Sequence, residues 1–182
     1  NNTLDDILRS GIMNSVHFSE LIERFDLILF DAYGVLNRGS NRIEGAVESI
    51  DRCHQLGTSF RVVSNNASEN PQQVWFKLKQ MGFAIKLDQI ITSGMAVEPF
   101  VNGSSYRDQP YLLIGTPDSA AEYAPKPDRL LLNPPDGPVR FDQKPAYVLI
   151  CSNRDYYGGK QQEVVEGWLS KESLPLLVAN PD

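Results

Sequence analysis

Cysteine, histidine, positive charge and long apolar runs are all in short supply in this chain, and each shortage excludes something. Only Cys53 and Cys151 occur in 182 residues, too few for a disulfide framework, so both are expected to be reduced core residues. His17 and His54 are the only histidines, and Cys53 stands next to His54 rather than at ligand spacing, which argues against zinc. His54 falls near the end of a helical stretch, where a cation is mildly favoured. No apolar run is long enough to cross a bilayer, and the opening Asn1 to Asp6 lacks the basic-then-apolar order of a secretion signal. A cytoplasmic protein with no membrane partner is therefore expected, and the Asn66-Ala67-Ser68 and Asn102-Gly103-Ser104 sequons are read as ordinary loops. Seventeen Lys and Arg against 23 Asp and Glu give a net charge of −6, which argues against a nucleic-acid surface. Walker-type phosphate loops, Gly-x-Ser-x-Gly elbows and His-Glu-x-x-His helices are absent too.

What is present is an ordinary globular balance, 41% hydrophobic and 22% charged, in a length that builds one core or one core with a smaller partner. Leu27 to Phe30 is an unbroken apolar run, too short for a helix, and fits a strand buried on both faces of a parallel sheet. Asp31 ends that strand and Gly34 follows, the position where open α/β sheets bind ligands. An Asp there is either a satisfied turn residue or a chemical group.

Helical spacing is predicted at Thr3 to Leu8 and over Val16 to Phe25, ahead of the first strand. Asn37 to Gly45 reads as a polar loop at the mouth of the site, and Ala46 to Leu56 as a helix stopped by Gly57. A strand over Ser59 to Val63 runs into Ser64-Asn65-Asn66, and Asn70-Pro71 starts a helix that buries Val74, Trp75, Leu78 and Met81 before Gly82. Gln89 to Thr92 is a third strand, with a helix from Ser93 to Phe100. Further strands are predicted at Tyr111 to Ile114, Leu130 to Leu132, Ala146 to Cys151 and Pro175 to Ala179. Helices are predicted from Thr116-Pro117 to Tyr123 and over Lys160 to Lys171, the latter burying Val164, Val165, Trp168 and Leu169. This strand–helix alternation is α/β with parallel sheets: a doubly wound core segment over residues 1–95 and a second α/β module over 96–178.

Two strand ends carry the chemistry. Asp31 ends one strand and Ser64-Asn65-Asn66 follows the next, one helix later, so a βαβ crossover puts both at the same sheet edge. A carboxylate there can attack an electrophile, while Ser64 and nearby backbone N–H groups hold an anion such as phosphate. The competing reading is that Ser64, Asn65 and Asn66 are turn formers, as these residues are in many proteins. The combination is more specific than either half.

On these residues the chain resembles the haloacid dehalogenase superfamily of aspartate-nucleophile hydrolases. Asp31-Ala32-Tyr33-Gly34-Val35-Leu36 is similar to its first motif and Ser64-Asn65-Asn66 to its second. Ile43-Glu44-Gly45-Ala46, the helix ending at Gly57 and the helix after Asn70-Pro71 resemble the class IIA branch of sugar-phosphate and nitrophenyl-phosphate phosphatases. That resemblance implies a Rossmann-like core with an α/β class II cap over 96–178, and a return to the core beginning at residues 179–182. It further implies Asp31 as nucleophile and magnesium ligand, the Tyr33 backbone carbonyl as a second ligand, and a phosphate site at Ser64, Asn65, Asn66 and Gly34. A small phosphorylated metabolite is the implied partner, and a homodimer is allowed. Trp168 and Tyr156-Tyr157 are candidates for the cap's inner face, although a core Trp and a surface turn are the preferred readings.

The chain departs from the family pattern in two ways. Phosphatases of the family carry an acid–base aspartate two residues after the nucleophile, where this chain has Tyr33. A phenol titrating near pH ~10 is a poor proton donor at neutrality. Asp-x-Tyr is the pattern of the family's carbon–halogen hydrolases, but their helical cap has no room between Tyr33 and Ser64, so dehalogenation is the lesser enzyme reading. Second, nothing in residues 1–182 matches the family's third-motif lysine or fourth-motif metal carboxylates. A phosphate-binding regulatory protein without turnover, or a piece of a longer enzyme, both remain open on that ground.

Overall fold

A computed structural model describes residues 17–132, 143–153 and 160–179. The element expected at Thr3 to Leu8, the Tyr156-Tyr157 pair and residues 180–182 lie outside these stretches. In chain order the elements are α1 (Phe18–Ile22), β1 (Leu27–Asp31), β2 (Asn37–Arg38), β3 (Asn41–Arg42), α2 (Ala46–Leu56), β4 (Ser59–Ser64), α3 (Pro71–Gln80), β5 (Ile90–Thr92), α4 (Val97–Asn102), β6 (Tyr111–Ile114), α5 (Pro117–Tyr123), β7 (Leu130–Leu132), β8 (Tyr147–Ile150), α6 (Lys160–Leu169) and β9 (Leu176–Val178). They form two parallel sheets, ordered β1-β4-β5 and β7-β6-β8-β9, with a small antiparallel hairpin of β2 and β3. The α/β architecture is the one the sequence alternation implies.

The helix ends follow from local chemistry. Gly57, at φ +71°, lets the chain turn left-handed after α2, which L side chains resist. Asn70 caps α3 reciprocally with Gln73, and Pro71 occupies the first turn, where its missing N–H costs nothing.

Helices α1, α2 and α3 pack on one face of the first sheet, where Phe30, Phe60, Val62 and Ile90 meet Ile50, Cys53, Val74 and Leu78. No described element covers the opposite face of β1. Leu27 and Leu29 are 51% and 61% exposed, so among the described residues β1 is buried on one face only, where its apolar run suggests two. Among the described strands it pairs with β4 alone, and its alternate side chains meet no layer among the described residues.

The second sheet behaves as a buried parallel sheet should. Tyr111, Leu113, Tyr147 and Leu149 pack with α4 and α5 on one side, while Leu112, Ile114 and Val148 meet Val165 of α6 on the other. Trp168 is part-buried in this second layer, the core role rather than a cleft role, whereas Leu169 is 39% exposed instead of buried. Burial pushes the Tyr147 phenol and the Cys151 thiol each up to about 12, so both stay neutral at ordinary pH. Both cysteines are unpaired and buried. Among the described residues no helix is long and apolar enough to cross a membrane.

Tyr123 ties the two sheets together. Its hydroxyl donates to the Glu69 carbonyl at 2.7 Å and pairs with Thr92 Oγ1 at 2.9 Å, and its ring lies where a Cβ on Gly94 would have to go. Burial raises the phenol pKa, which keeps the donor protonated. Tyr123→Phe keeps the ring but strands the Thr92 hydroxyl and the Glu69 carbonyl. It is expected to lower stability by about 1–3 kcal/mol, read as a lower urea midpoint at unchanged slope.

Candidate active site

Strands β1 and β4 are parallel and in register, Asp31 opposite Val63, and the Ala32 N–H carries the ladder one step further to the Val63 carbonyl at 3.0 Å. Asp31 and Ser64 therefore leave the sheet side by side at its C-terminal edge. The chain after Asp31 folds tightly: the Ala32 carbonyl accepts from the N–H groups of Leu36 (2.9 Å) and Asn37 (3.0 Å), and Gly34 donates to the Asn37 carbonyl at 2.8 Å. Gly34 sits at φ +89°, a conformation that favours glycine. This turn feeds the β2–β3 hairpin, so the expected loop over Asn37 to Gly45 is partly a paired ribbon; the Gly39 turn and the Asn37 amide bond to the Gly39 carbonyl (2.8 Å) close it. The hydrogen bonding that makes the hairpin is backbone-based, which is why its polar sequence reads as loop.

Beyond β4, Ser64 is almost fully buried, and its hydroxyl accepts from the Asn66 N–H at 3.2 Å. Asn66 organises the loop: its Oδ1 accepts from the Ser68 N–H (2.8 Å), the Ser68 hydroxyl (2.9 Å) and the Glu69 N–H (3.2 Å). Its amide donates to Glu69 Oε2 at 3.2 Å. Asn66 thus does the work of a turn residue, whereas Asn65 is exposed at the cleft and held through its carbonyl by Ser93 Oγ at 2.7 Å. Asp31 is exposed and Tyr33 is 65% exposed.

A cleft of about 760 Å³ opens on these ends, lined by Asp31, Tyr33, Ser64, Asn65 and Asn66. Gly34 stays in the turn behind them. The same cleft is lined by Glu69 and Lys77, which form an ion pair, and sequence reasoning singles out neither. A usable signal exists: Val74, Lys77, Leu78 and Met81 all line the cleft and fall at i, i+3, i+4, i+7 along α3 and its end. Among the described residues no three His, Cys, Asp or Glu side chains converge as a metal cluster. Asp31 and Tyr33 both line the cleft, and a carboxylate with main-chain oxygens is the hard-oxygen chemistry that magnesium takes.

Residues 28–125 match the sequence profile of the family described as haloacid dehalogenase-like hydrolase, more than half of the chain. The chain belongs to that family. The residues matched to the haloacid dehalogenase-like profile include Asp31 and Ser64, whose strand ends share one cleft.

Among relatives of this haloacid dehalogenase-like chain, the 4-nitrophenylphosphatase of Schizosaccharomyces pombe is 33% identical over 84 residues, 46% of this chain and 28% of that one. An acid sugar phosphatase of Staphylococcus aureus is 28% identical over 95 residues, 52% of this chain and 37% of that one. The glycerol phosphate phosphatase of Mycobacterium tuberculosis, solved with calcium, superposes with a TM-score of 0.68 at 23% identity, over 89% of this chain and 44% of that one. A second structure of that protein holds magnesium. The chain therefore spans about a third of the length of these curated relatives and under half of that solved structure.

Proposed function

We propose that this chain carries the nucleophile of a phosphatase acting on a small phosphorylated metabolite of the sugar-phosphate kind. The observation that carries the reading is the placement of Asp31 and Ser64 at neighbouring parallel strand ends on one cleft. In this reading Asp31 attacks phosphorus, the ester P–O bond breaks, and the departing oxygen takes a proton. Water then cleaves the aspartyl-phosphate, releasing inorganic phosphate and restoring Asp31. Ser64 and Asn65 hold the phosphoryl oxygens, with Gly34 letting the turn approach closely. Asp31 and the Tyr33 carbonyl are the oxygens that would hold magnesium, which when bound offsets phosphoryl charge. Residues 1–95 belong in this proposal to the core, 96–178 to the cap, and 179–182 to the return. The activities of the relatives, on nitrophenyl and sugar phosphates, support the substrate class.

The test is hydrolysis of 4-nitrophenyl phosphate and a sugar-phosphate panel by the intact protein. Removing divalent metal with a chelator is expected to cut the rate by about 10²-fold or more, and added magnesium to restore it. A rate indifferent to chelation contradicts the magnesium role. Phosphate binding without hydrolysis of any ester instead favours the non-catalytic reading.

A further inference from the structure

Charge on the described cleft wall singles out one side chain for an anionic ligand. A phosphate monoester carries about −1.5 to −2 charges near neutrality, yet the lining side chains include the carboxylates of Asp31 and Glu69. Among the described lining residues Lys77 is the single cation. Its ammonium is not a loose surface charge: it is paired with Glu69, whose side chain is only 17% exposed. Glu69 is in turn held by the Asn66 amide at 3.2 Å, and Asn66 is anchored on Ser68 and the Glu69 N–H. The Ser64 loop thereby fixes where an α3 side chain ends. An ammonium has three donors, so a single pairing leaves others for an anion, and the Lys77 side chain is 54% exposed on the cleft it lines.

We propose that Lys77 is a substrate-binding residue that receives the anionic phosphoryl group in the cleft, with Glu69 and Asn66 as the residues that position it. The inference rests on the phosphatase reading above and names the cation that the described cleft residues offer it. A pair built only for stability would contribute little at such exposure, because solvent and salt screen it. A pair that pre-places a donor limits what the side chain must lose in freedom when the anion arrives.

The test uses inorganic phosphate as the probe, by titration calorimetry on the intact protein, with KM and kcat for 4-nitrophenyl phosphate measured alongside. Lys77→Met is expected to weaken phosphate binding and raise KM about tenfold, with kcat changed far less. Lys77→Arg should recover most of the affinity, and Glu69→Gln should weaken binding less than Lys77→Met does. Unchanged affinity in Lys77→Met, while Ser64→Ala loses binding, overturns the role of Lys77 and leaves the phosphate site standing. A wild-type protein that binds no phosphate, with Ser64→Ala no different, overturns the phosphate reading itself.

Discussion

Asp31→Asn is expected to abolish turnover while leaving phosphate binding in place. The amide keeps the size and shape of the carboxylate but cannot form the acyl-phosphate bond, and loss of a nucleophile typically costs roughly 10⁴-fold or more in kcat. Binding should persist, because Ser64 and the loop after β4 are untouched and one negative charge facing a dianion is gone. Stability should hardly change, since Asp31 is exposed at the strand end. Steady-state kinetics beside phosphate calorimetry reads both halves. If the Asp31→Asn variant still turns over at a comparable rate, the nucleophile lies elsewhere.

Tyr33→Asp has the opposite sign. If residue 33 occupies the slot for proton transfer to the leaving oxygen, a carboxyl there should speed hydrolysis of alkyl phosphates by roughly 10²–10⁴-fold. The gain should be much smaller for 4-nitrophenyl phosphate, whose leaving group departs without needing a proton. The substitution is tolerable in the fold: Tyr33 is 65% exposed, and its backbone lies outside the positive-φ region. The comparison to make is the ratio of rates on a sugar phosphate and on the nitrophenyl ester, before and after the change. An equal gain on both, or none, means that position 33 does not handle that proton. Release of halide from 2-haloacids without metal by the unaltered protein would instead favour the carbon–halogen reading.

The site's ingredients are legible in the sequence because they are written in adjacent residues. Leu27 to Phe30 with Asp31, and Phe60 to Val63 with Ser64, each combine a strand and its terminal polar group in one short phrase. The caps at Gly57 and Asn70-Pro71 are legible for the same reason. What escapes depends on neighbours in space or on backbone pairing rather than on adjacent side chains. Exposure of Leu27 and Leu29 depends on which described strands and helices flank β1, which an apolar run does not state. The hairpin after Gly34 is held by backbone pairing that polar side chains do not announce. The Asn66–Glu69–Lys77 chain joins a loop to the second turn of a helix, and the Thr92–Tyr123–Glu69 junction joins positions 31 and 54 residues apart.

The most direct measurement is a chemical trap of the intermediate. The intact protein, mixed with 4-nitrophenyl phosphate and magnesium, is quenched and reduced with borohydride, which converts an acyl phosphate to an alcohol, and the peptides are then read by mass spectrometry. The account predicts a modification confined to Asp31 that disappears in Asp31→Asn and is absent without substrate. Hydrolysis proceeding with Asp31 unmodified, or the label settling on another carboxylate, contradicts it.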